Sequence, residues 1–226
     1  MRVIVFGGTG MVGQGVLREC VLDPDVDSVV SVVRRETRPN MGRTSSKVRE
    51  VVAANFYDYS KIEGNFIGYD ACFFCLGTSA VGMKEAEYRR VTFDLTMAAA
   101  RTLLRLNPPT ASGGMTFIYV SGAGTNAKSR SMWSRVKGET ENALLEMGFK
   151  AAYMFRPGMI VPLHGITSKT QWYRTTYAVM KPLLPILLRR FPKYVTTTEQ
   201  VGRAMLAVAK HGYPKQVLEA VDIAKV

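Results

Sequence analysis

Residues 2–13 constrain this chain more tightly than any other stretch. Arg2-Val-Ile-Val-Phe6 is a near-continuous apolar run, the pattern of a strand buried on both faces of a parallel sheet. Gly7-Gly-Thr-Gly10-Met-Val-Gly13 follows without a break, and the residues after it read as a helix. In a strand–turn–helix unit of this kind Gly7 permits the tight turn and Gly10 lets the backbone approach a pyrophosphate. Gly13 lets the helix pack closely on the strand, and the phosphates rest on the open N–H groups of the helix N-terminus. The spacing is G-x-x-G-x-x-G rather than G-x-G-x-x-G. A lone glycine triplet is weak evidence, and the strand before it and helix after it supply the confirming context. The expected dinucleotide contacts are Gly7, Thr9, Gly10, Met11, Val12 and Gly13.

The rest of the chain keeps the same rhythm. Strand-like runs near 2–6, 28–33, 48–53, 70–76, 115–121, 151–155 and 216–219 alternate with helix-like runs near 11–22, 85–106, 131–147 and 198–210. Alternation of this kind predicts an α/β fold, a doubly wound parallel sheet of the Rossmann type with helices on both faces. Repeats, low-complexity tracts and linkers are lacking, so residues 1–226 are expected to form one NAD(P)-binding domain. Between Pro157 and about Thr197 the rhythm breaks: prolines cluster, Trp172 and Tyr173 are adjacent, and Leu183-Leu-Pro-Ile-Leu-Leu188 is apolar. This stretch is expected to form a small C-terminal substrate lobe or lid.

The chain carries 30 Lys plus Arg against 18 Asp plus Glu, a formal net charge of +12, which favours anionic partners. The basic residues are scattered, with Arg34-Arg35, Arg89-Arg90 and Arg189-Arg190 far apart, so nucleic acid is not expected as a partner. The basic ends of the segment from Lys181 to about 193 leave peripheral membrane contact as a secondary reading, behind a lid or packing role. No apolar run reaches the ~18 residues of a transmembrane helix, and the N-terminus lacks a secretory pattern. Three cysteines are few and odd in number, which suits a reducing compartment and leads to a cytoplasmic expectation. Cys72 and Cys75 have a metal-like spacing but lie in a strand, where residues three apart face opposite ways, so core packing is expected for both.

Past the second strand a carboxylate would ordinarily meet the ribose hydroxyls of NAD. Here Arg34 and Arg35 stand at that point, and paired guanidinium groups suit the additional 2′-phosphate of NADP(H). The alternative is a solvated surface pair. Asn55 and Phe56, just past the third strand, are expected beside the adenine. Leu76, Gly77 and Thr78, closing the fourth strand, are expected along the cofactor.

Taken together, Gly7–Gly13, Val32-Val-Arg-Arg35, Cys75-Leu-Gly-Thr78, Tyr119-Val-Ser-Gly-Ala123, Lys137-Gly138 and Phe155-Arg-Pro-Gly158 resemble the atypical short-chain dehydrogenase/reductase family. The likeness is greatest to its Tat-interacting-protein-like and epimerase/dehydratase-like members. It spans most of the first 165 residues, and its glycine motif is specific for fold rather than substrate. The resemblance implies a serine that orients the substrate oxygen, here Ser121, and a lysine that holds the nicotinamide ribose, here Lys137. It also implies nicotinamide-side contacts from Pro157, Gly158 and Ile160. The family's catalytic tyrosine precedes the lysine by four residues, on the same helix face. That position holds Trp133, whose indole N–H donates a hydrogen bond but cannot serve as acid or base. Thr92 likewise replaces an asparagine of many relatives. Two other Tyr-to-Lys spacings, Tyr57 to Lys61 and Tyr177 to Lys181, lie off the helix after Ser121 and read as chance.

Two functions remain open at this point. The first is an NADP(H)-dependent oxidoreductase acting on a small carbonyl or alcohol, with Ser121, Trp133 and Lys137 at the site. Its proton would come from Tyr119, Tyr173, Ser131 or water, with His164 as a further candidate. The second is a non-catalytic NADPH-binding protein that regulates or scaffolds a partner. His211 reads as a helix-capping residue in either case.

Overall fold

A computed structural model describes residues 1–37, 46–111, 113–166 and 194–226. The elements run β1 (Arg2–Phe6), α1 (Met11–Leu22), β2 (Ser28–Val33), β3 (Val48–Val52), β4 (Ala71–Phe74), α2 (Glu85–Arg89), α3 (Leu95–Leu106), β5 (Thr116–Val120), α4 (Met132–Glu146), β6 (Ala151–Arg156), β7 (Met159–Val161), β8 (Val195–Thr197), α5 (Thr198–His211), β9 (Val217–Glu219) and α6 (Ala220–Ile223). Seven strands form one parallel sheet in the order β3-β2-β1-β4-β5-β6-β9. Successive connections run one way from β1 to β3 and the other way from β4 onward, which leaves a crevice at the carboxyl ends of β1 and β4. The doubly wound Rossmann architecture expected from the alternating pattern is therefore the one observed.

The apolar runs are continuous because both sheet faces are covered. Ile4, Phe6, Cys72, Phe74, Phe117, Tyr119 and Met154 face α3 and α4, packing against Met97, Ala100, Leu103 and Leu144. Val3, Val5, Ala71, Phe73, Ile118 and Phe155 face the opposite layer, built from Val16 and Cys20 of α1 and Val201, Met205 and Val208 of α5. Across neighbouring strands Phe6 stacks on Phe74 at 5.2 Å and Phe74 on Phe117 at 5.9 Å, so the α3/α4 face is held by an aromatic ladder. Cys72 and Cys75 fall to opposite faces, as their spacing requires, and all three cysteines are free thiols.

α1 and α5 cross at glycines. A Cβ on Gly15 would lie 2.7 Å from Thr198 Cβ, and one on Gly202 2.7 Å from Glu19 Cγ, so the two backbones meet without side chains between them. Arg203 reaches across this contact to the buried Glu19 carboxylate.

Several features were not anticipated. The helix expected over 85–106 contains a π-helical turn, Arg90–Asp94, between α2 and α3. A short 3₁₀ turn spans Glu63–Phe66. β7 pairs in parallel with β8 outside the main sheet, with Met159 opposite Val195 and Val161 opposite Thr197. This pairing brings the two ends of the expected lobe together. Trp172, Tyr173, the Tyr177 to Lys181 spacing and the basic segment 181–193 lie outside the described residues. No described helix is long and apolar enough to cross a membrane.

One buried group sits poorly in this core. Tyr59 is 2% exposed among Phe6, Phe56 and Phe66, and its hydroxyl has no hydrogen-bond partner among the described residues. Burial raises its pKa well above the ordinary tyrosine range. Removing an unpaired buried hydroxyl relieves its desolvation cost, so Tyr59→Phe should stabilise the fold by about 1 kcal/mol in urea unfolding. A loss of stability would show that the hydroxyl is satisfied in solution.

Candidate cofactor and active site

The glycine loop is a wedge between β1, β4 and α1. Gly7 has φ +82°, and a Cβ there would lie 2.8 Å from the backbone of Cys75 and Leu76. A Cβ on Gly13 would lie 2.1 Å from the Gly7 carbonyl oxygen, and one on Gly8 2.7 Å from both Leu17 Cδ1 and Ser31 Oγ. Gly10 differs: its Cβ would meet only the Gly7 oxygen, at 3.3 Å, and would otherwise project into open space. The Gly10 N–H donates to the Gly7 carbonyl at 2.8 Å, closing the turn, and Gln14 braces the loop by donating to the Thr9 carbonyl. Gly10 is also the N-cap of α1, with no side chain capping the helix. The first-turn N–H groups and the positive end of the helix dipole therefore face the crevice, an arrangement that fits a pyrophosphate.

Around this loop the expected cofactor contacts divide. Arg34 and Arg35 follow β2, are exposed, and among the described residues make no ion pair, leaving both guanidinium groups available. Glu36 is exposed beside them, and the next residue, Thr37, bonds to Glu50 through both its N–H and its hydroxyl. Asn55 is exposed, its side-chain oxygen accepting from the Tyr57 N–H. Phe56 is corrected: its ring is buried in the α3/α4-side core, edge-on to Phe6 at 6.3 Å, and only its backbone remains to offer an adenine. Leu76, Gly77 and Thr78 continue from β4, and nothing lies within 4 Å of where a Gly77 Cβ would be.

On the other side of the crevice, α4 presents Trp133, Lys137 and Glu141 at successive turns, on one face. The indole is 37% exposed, with its ring edge over Gly124, where a Cβ would come 3.5 Å from Cη2. Lys137 is mostly buried and donates from Nζ to the Ser121 carbonyl at the end of β5. The loop between them is bound to α4: Ser134 Oγ donates to the Gly124 carbonyl at 2.6 Å, and a Gly138 Cβ would lie 2.1 Å from Ala127 N. The loop is tied to the nicotinamide-side segment by the Ala123 N–H, which donates to the Pro157 carbonyl at 3.0 Å. Gly158 is forced by contact, since its Cβ would lie 2.2 Å from the Tyr194 oxygen, and Ile160 follows in β7.

Ser121 requires a correction. The residue is 3% exposed, and its hydroxyl bonds to the Glu141 carboxylate and, at 3.2 Å, to the Phe155 carbonyl. One hydroxyl proton serves both acceptors, so the group points into the protein rather than to a substrate oxygen. Glu141, 2% exposed, also receives Arg156 on both oxygens, through Nε at 2.9 Å and through Nη2. Arg156 extends to Glu219 of β9 at 3.0 Å. The sequence reading assigned no role to Glu141 or Glu219. A glutamate on the Lys137 face, four residues on, was the available signal.

The proton candidates also separate. Tyr119 is 1% exposed, its pKa pushed far up by burial and its hydroxyl engaged with Thr140, so it is no donor to the crevice. His164, at φ +55°, holds Nε2 2.6 Å from Glu199, whose carboxyl is thereby kept below the usual range. It is tied to the start of α5. Ser131 is exposed at the N-cap of α4. Tyr173 lies outside the described residues. His211 sits in the last turn of α5, before Gly212. Thr92, buried in the π-helical turn, has its carbonyl bonded by Thr96 Oγ1.

Comparison with known proteins agrees with this geometry at the level of fold. No protein-family model matches the chain. Curated relatives include the mitochondrial protein FMP52 of Candida albicans, 23% identical over 163 residues (71% of this chain, 68% of the relative). That of Saccharomyces cerevisiae is 28% identical over 163 residues (71% and 66%). The match thus spans about two thirds of these relatives' length. Among solved structures, a short-chain dehydrogenase/reductase of Saccharomyces cerevisiae superposes with TM-score 0.66 at 15% identity, covering 99% of this chain and 98% of that one. The Bordetella bronchiseptica enzyme WbmF, solved in complex with NAD+, gives 0.64 at 16% identity, covering 99% and 76%. The resemblance to the atypical short-chain dehydrogenase/reductase family is borne out in architecture. The cytoplasmic expectation is overturned by the relatives, which are named mitochondrial proteins. Cysteine usage separates oxidising from reducing compartments and does not discriminate among reducing ones.

Burial pushes the Lys137 amine down to about 8, against the opposing pull of Glu141. Between that value and the ordinary lysine value near ~10.4, the unfolded chain binds more protons than the folded one. Stability contributed by this group therefore rises with pH across that window, and the cost of the buried charge is fully present below it. Lys137→Met should abolish that slope. Urea unfolding from pH 7.5 to 10 should show wild type gaining on the variant as pH rises, and a pH-independent difference would show that the amine is hydrated.

Proposed function

We propose that this protein is an NADP(H)-binding, short-chain-dehydrogenase-like oxidoreductase acting on a small carbonyl or alcohol, with Trp133 in the place of the usual tyrosine. The observation that carries the reading is the uncapped N-terminus of α1 opening on the β1/β4 crevice, with Gly10 bare of a side chain at its mouth. The Lys137 amine lies at the end of β5, bonded to the Ser121 carbonyl. When bound, the nicotinamide supplies or accepts the hydride. The chain's own residues do the rest. The Met11–Gly13 N–H groups hold the pyrophosphate, Arg34 and Arg35 meet the 2′-phosphate, and Lys137 holds the ribose hydroxyls.

Trp133 supports a flat or apolar substrate, since its half-exposed indole offers a stacking face and one N–H donor beside Gly124. With Ser121 and Tyr119 both turned inward, the substrate oxygen would be held by the indole N–H or the loop backbone, and its proton would come from Ser131, Tyr173 or water. The same inward turn of both groups favours a second reading, an NADPH-binding regulatory or scaffold protein with no turnover. The mitochondrial names of the curated relatives support an organellar setting for either.

Fluorescence titration tests the proposal. NADPH should bind with energy transfer from tryptophan to the nicotinamide, and transfer should fall sharply in Trp133→Phe. Replacing Arg34 and Arg35 together by alanine should weaken NADPH by about tenfold or more while changing NADH little, as expected for loss of charge-assisted phosphate bonds. Equal effects on both nucleotides would remove the NADP assignment. NADPH binding without oxidation across an aldehyde and ketone panel would select the second reading.

A further inference from the structure

Glu219, Arg156, Glu141 and Ser121 form a continuous chain of contacts from β9, at the edge of the sheet, through β6 and α4 to the end of β5. Both oxygens of the Glu141 carboxylate are engaged: Oε1 accepts from Arg156 Nε and Ser121 Oγ, and Oε2 accepts from Arg156 Nη2. Two carboxylates and one guanidinium leave the chain with one net negative charge. One helical turn before Glu141, the Lys137 ammonium supplies the missing positive charge, and it bonds to the carbonyl of the same Ser121 whose hydroxyl bonds Glu141. Backbone and side chain of one residue thus join the lysine to the carboxylate. A purely structural ion pair gains little over apolar packing of the same volume. This one is arranged around the cation that faces the crevice.

We propose that Glu141 is a positioning residue, the hub of a buried charge chain that holds Lys137 against the end of β5 and links its presentation to the last strand of the sheet. The inference deepens the proposed function and rests on it for the role of Lys137. The other titratable groups packed here are Tyr119 on β5, bonded to Thr140 and near Glu141, and Tyr88 on α2. Both are buried with phenols pushed up, so neither carries charge near neutrality.

The test is the titration of Lys137, followed by NMR of the reductively ¹³C-methylated protein and assigned with Lys137→Arg. The wild-type midpoint should lie near 8. Glu141→Gln removes the negative hub and should lower it by roughly one unit, whereas Arg156→Gln leaves an excess of negative charge and should raise it. A role confined to packing would not move the midpoint in opposite directions, and an unchanged midpoint in either variant overturns the proposal. Should both variants fail to fold, Glu219→Gln, half-exposed and leaving the Arg156–Glu141 bonds intact, should shift the midpoint down by a smaller amount, and no shift there overturns the proposal. NADPH titration of the same samples should show weakening of about tenfold for Glu141→Gln. If wild type binds no NADPH the cofactor reading fails, while the NMR shifts still decide the coupling of Glu141 to Lys137.

Discussion

The close contact of Gly7 with the backbone where β4 ends, and of Gly13 with the Gly7 carbonyl, is the constraint from which the site follows. Side chains at either position would push α1 away from the sheet by ångströms. With none, the helix starts at the carboxyl edge of β1 and its first N–H groups open into the gap beside β4. Gly10 is spared any contact that close, so the one glycine of this loop that packing does not demand is the one a ligand would need bare. Close packing and the anion binding proposed above would thus fall to neighbouring residues in a single turn.

Opposite that turn, α4 sets the chemistry through the spacing of three side chains. Trp133, Lys137 and Glu141 occupy one stripe, and each has a different fate. The indole stays at the surface over Gly124, the amine reaches the end of β5, and the carboxylate is buried by Arg156. Glycine at 138 lets the backbone at Asn126 and Ala127 lie directly on the helix. The arrangement keeps a lysine at the end of β5 and turns inward the two hydroxyl groups, of Ser121 and Tyr119, that were expected at the site.

Most of the architecture was legible because parallel strands buried on both faces leave an unmistakable mark. β1, β2, β4, β5 and β6 are predominantly apolar, and turn residues such as Asp23-Pro24 and the run from Asn107 to Gly114 punctuate the helices. The π-helical turn at Arg90–Asp94 and the β7–β8 pair left no such mark. The former lies inside one continuous helix-like run, and the latter is three residues a side and pairs residues 36 positions apart.

By itself the sequence determined the order of strands and helices, the glycine turn, the guanidinium pair after β2 and the absence of a phenol at position 133. All of these are local, settled by residue type and near spacing. Where each polar group points was decided only by the tertiary structure. Ser121 stands where a substrate-facing serine is expected, yet Glu141 and Arg156, 20 and 35 residues later in sequence, draw its hydroxyl inward. Phe56 turns into the core because Phe6 lies across the sheet to receive it. A buried carboxylate must find its donors wherever the fold brings them, and that search is not written in any local pattern.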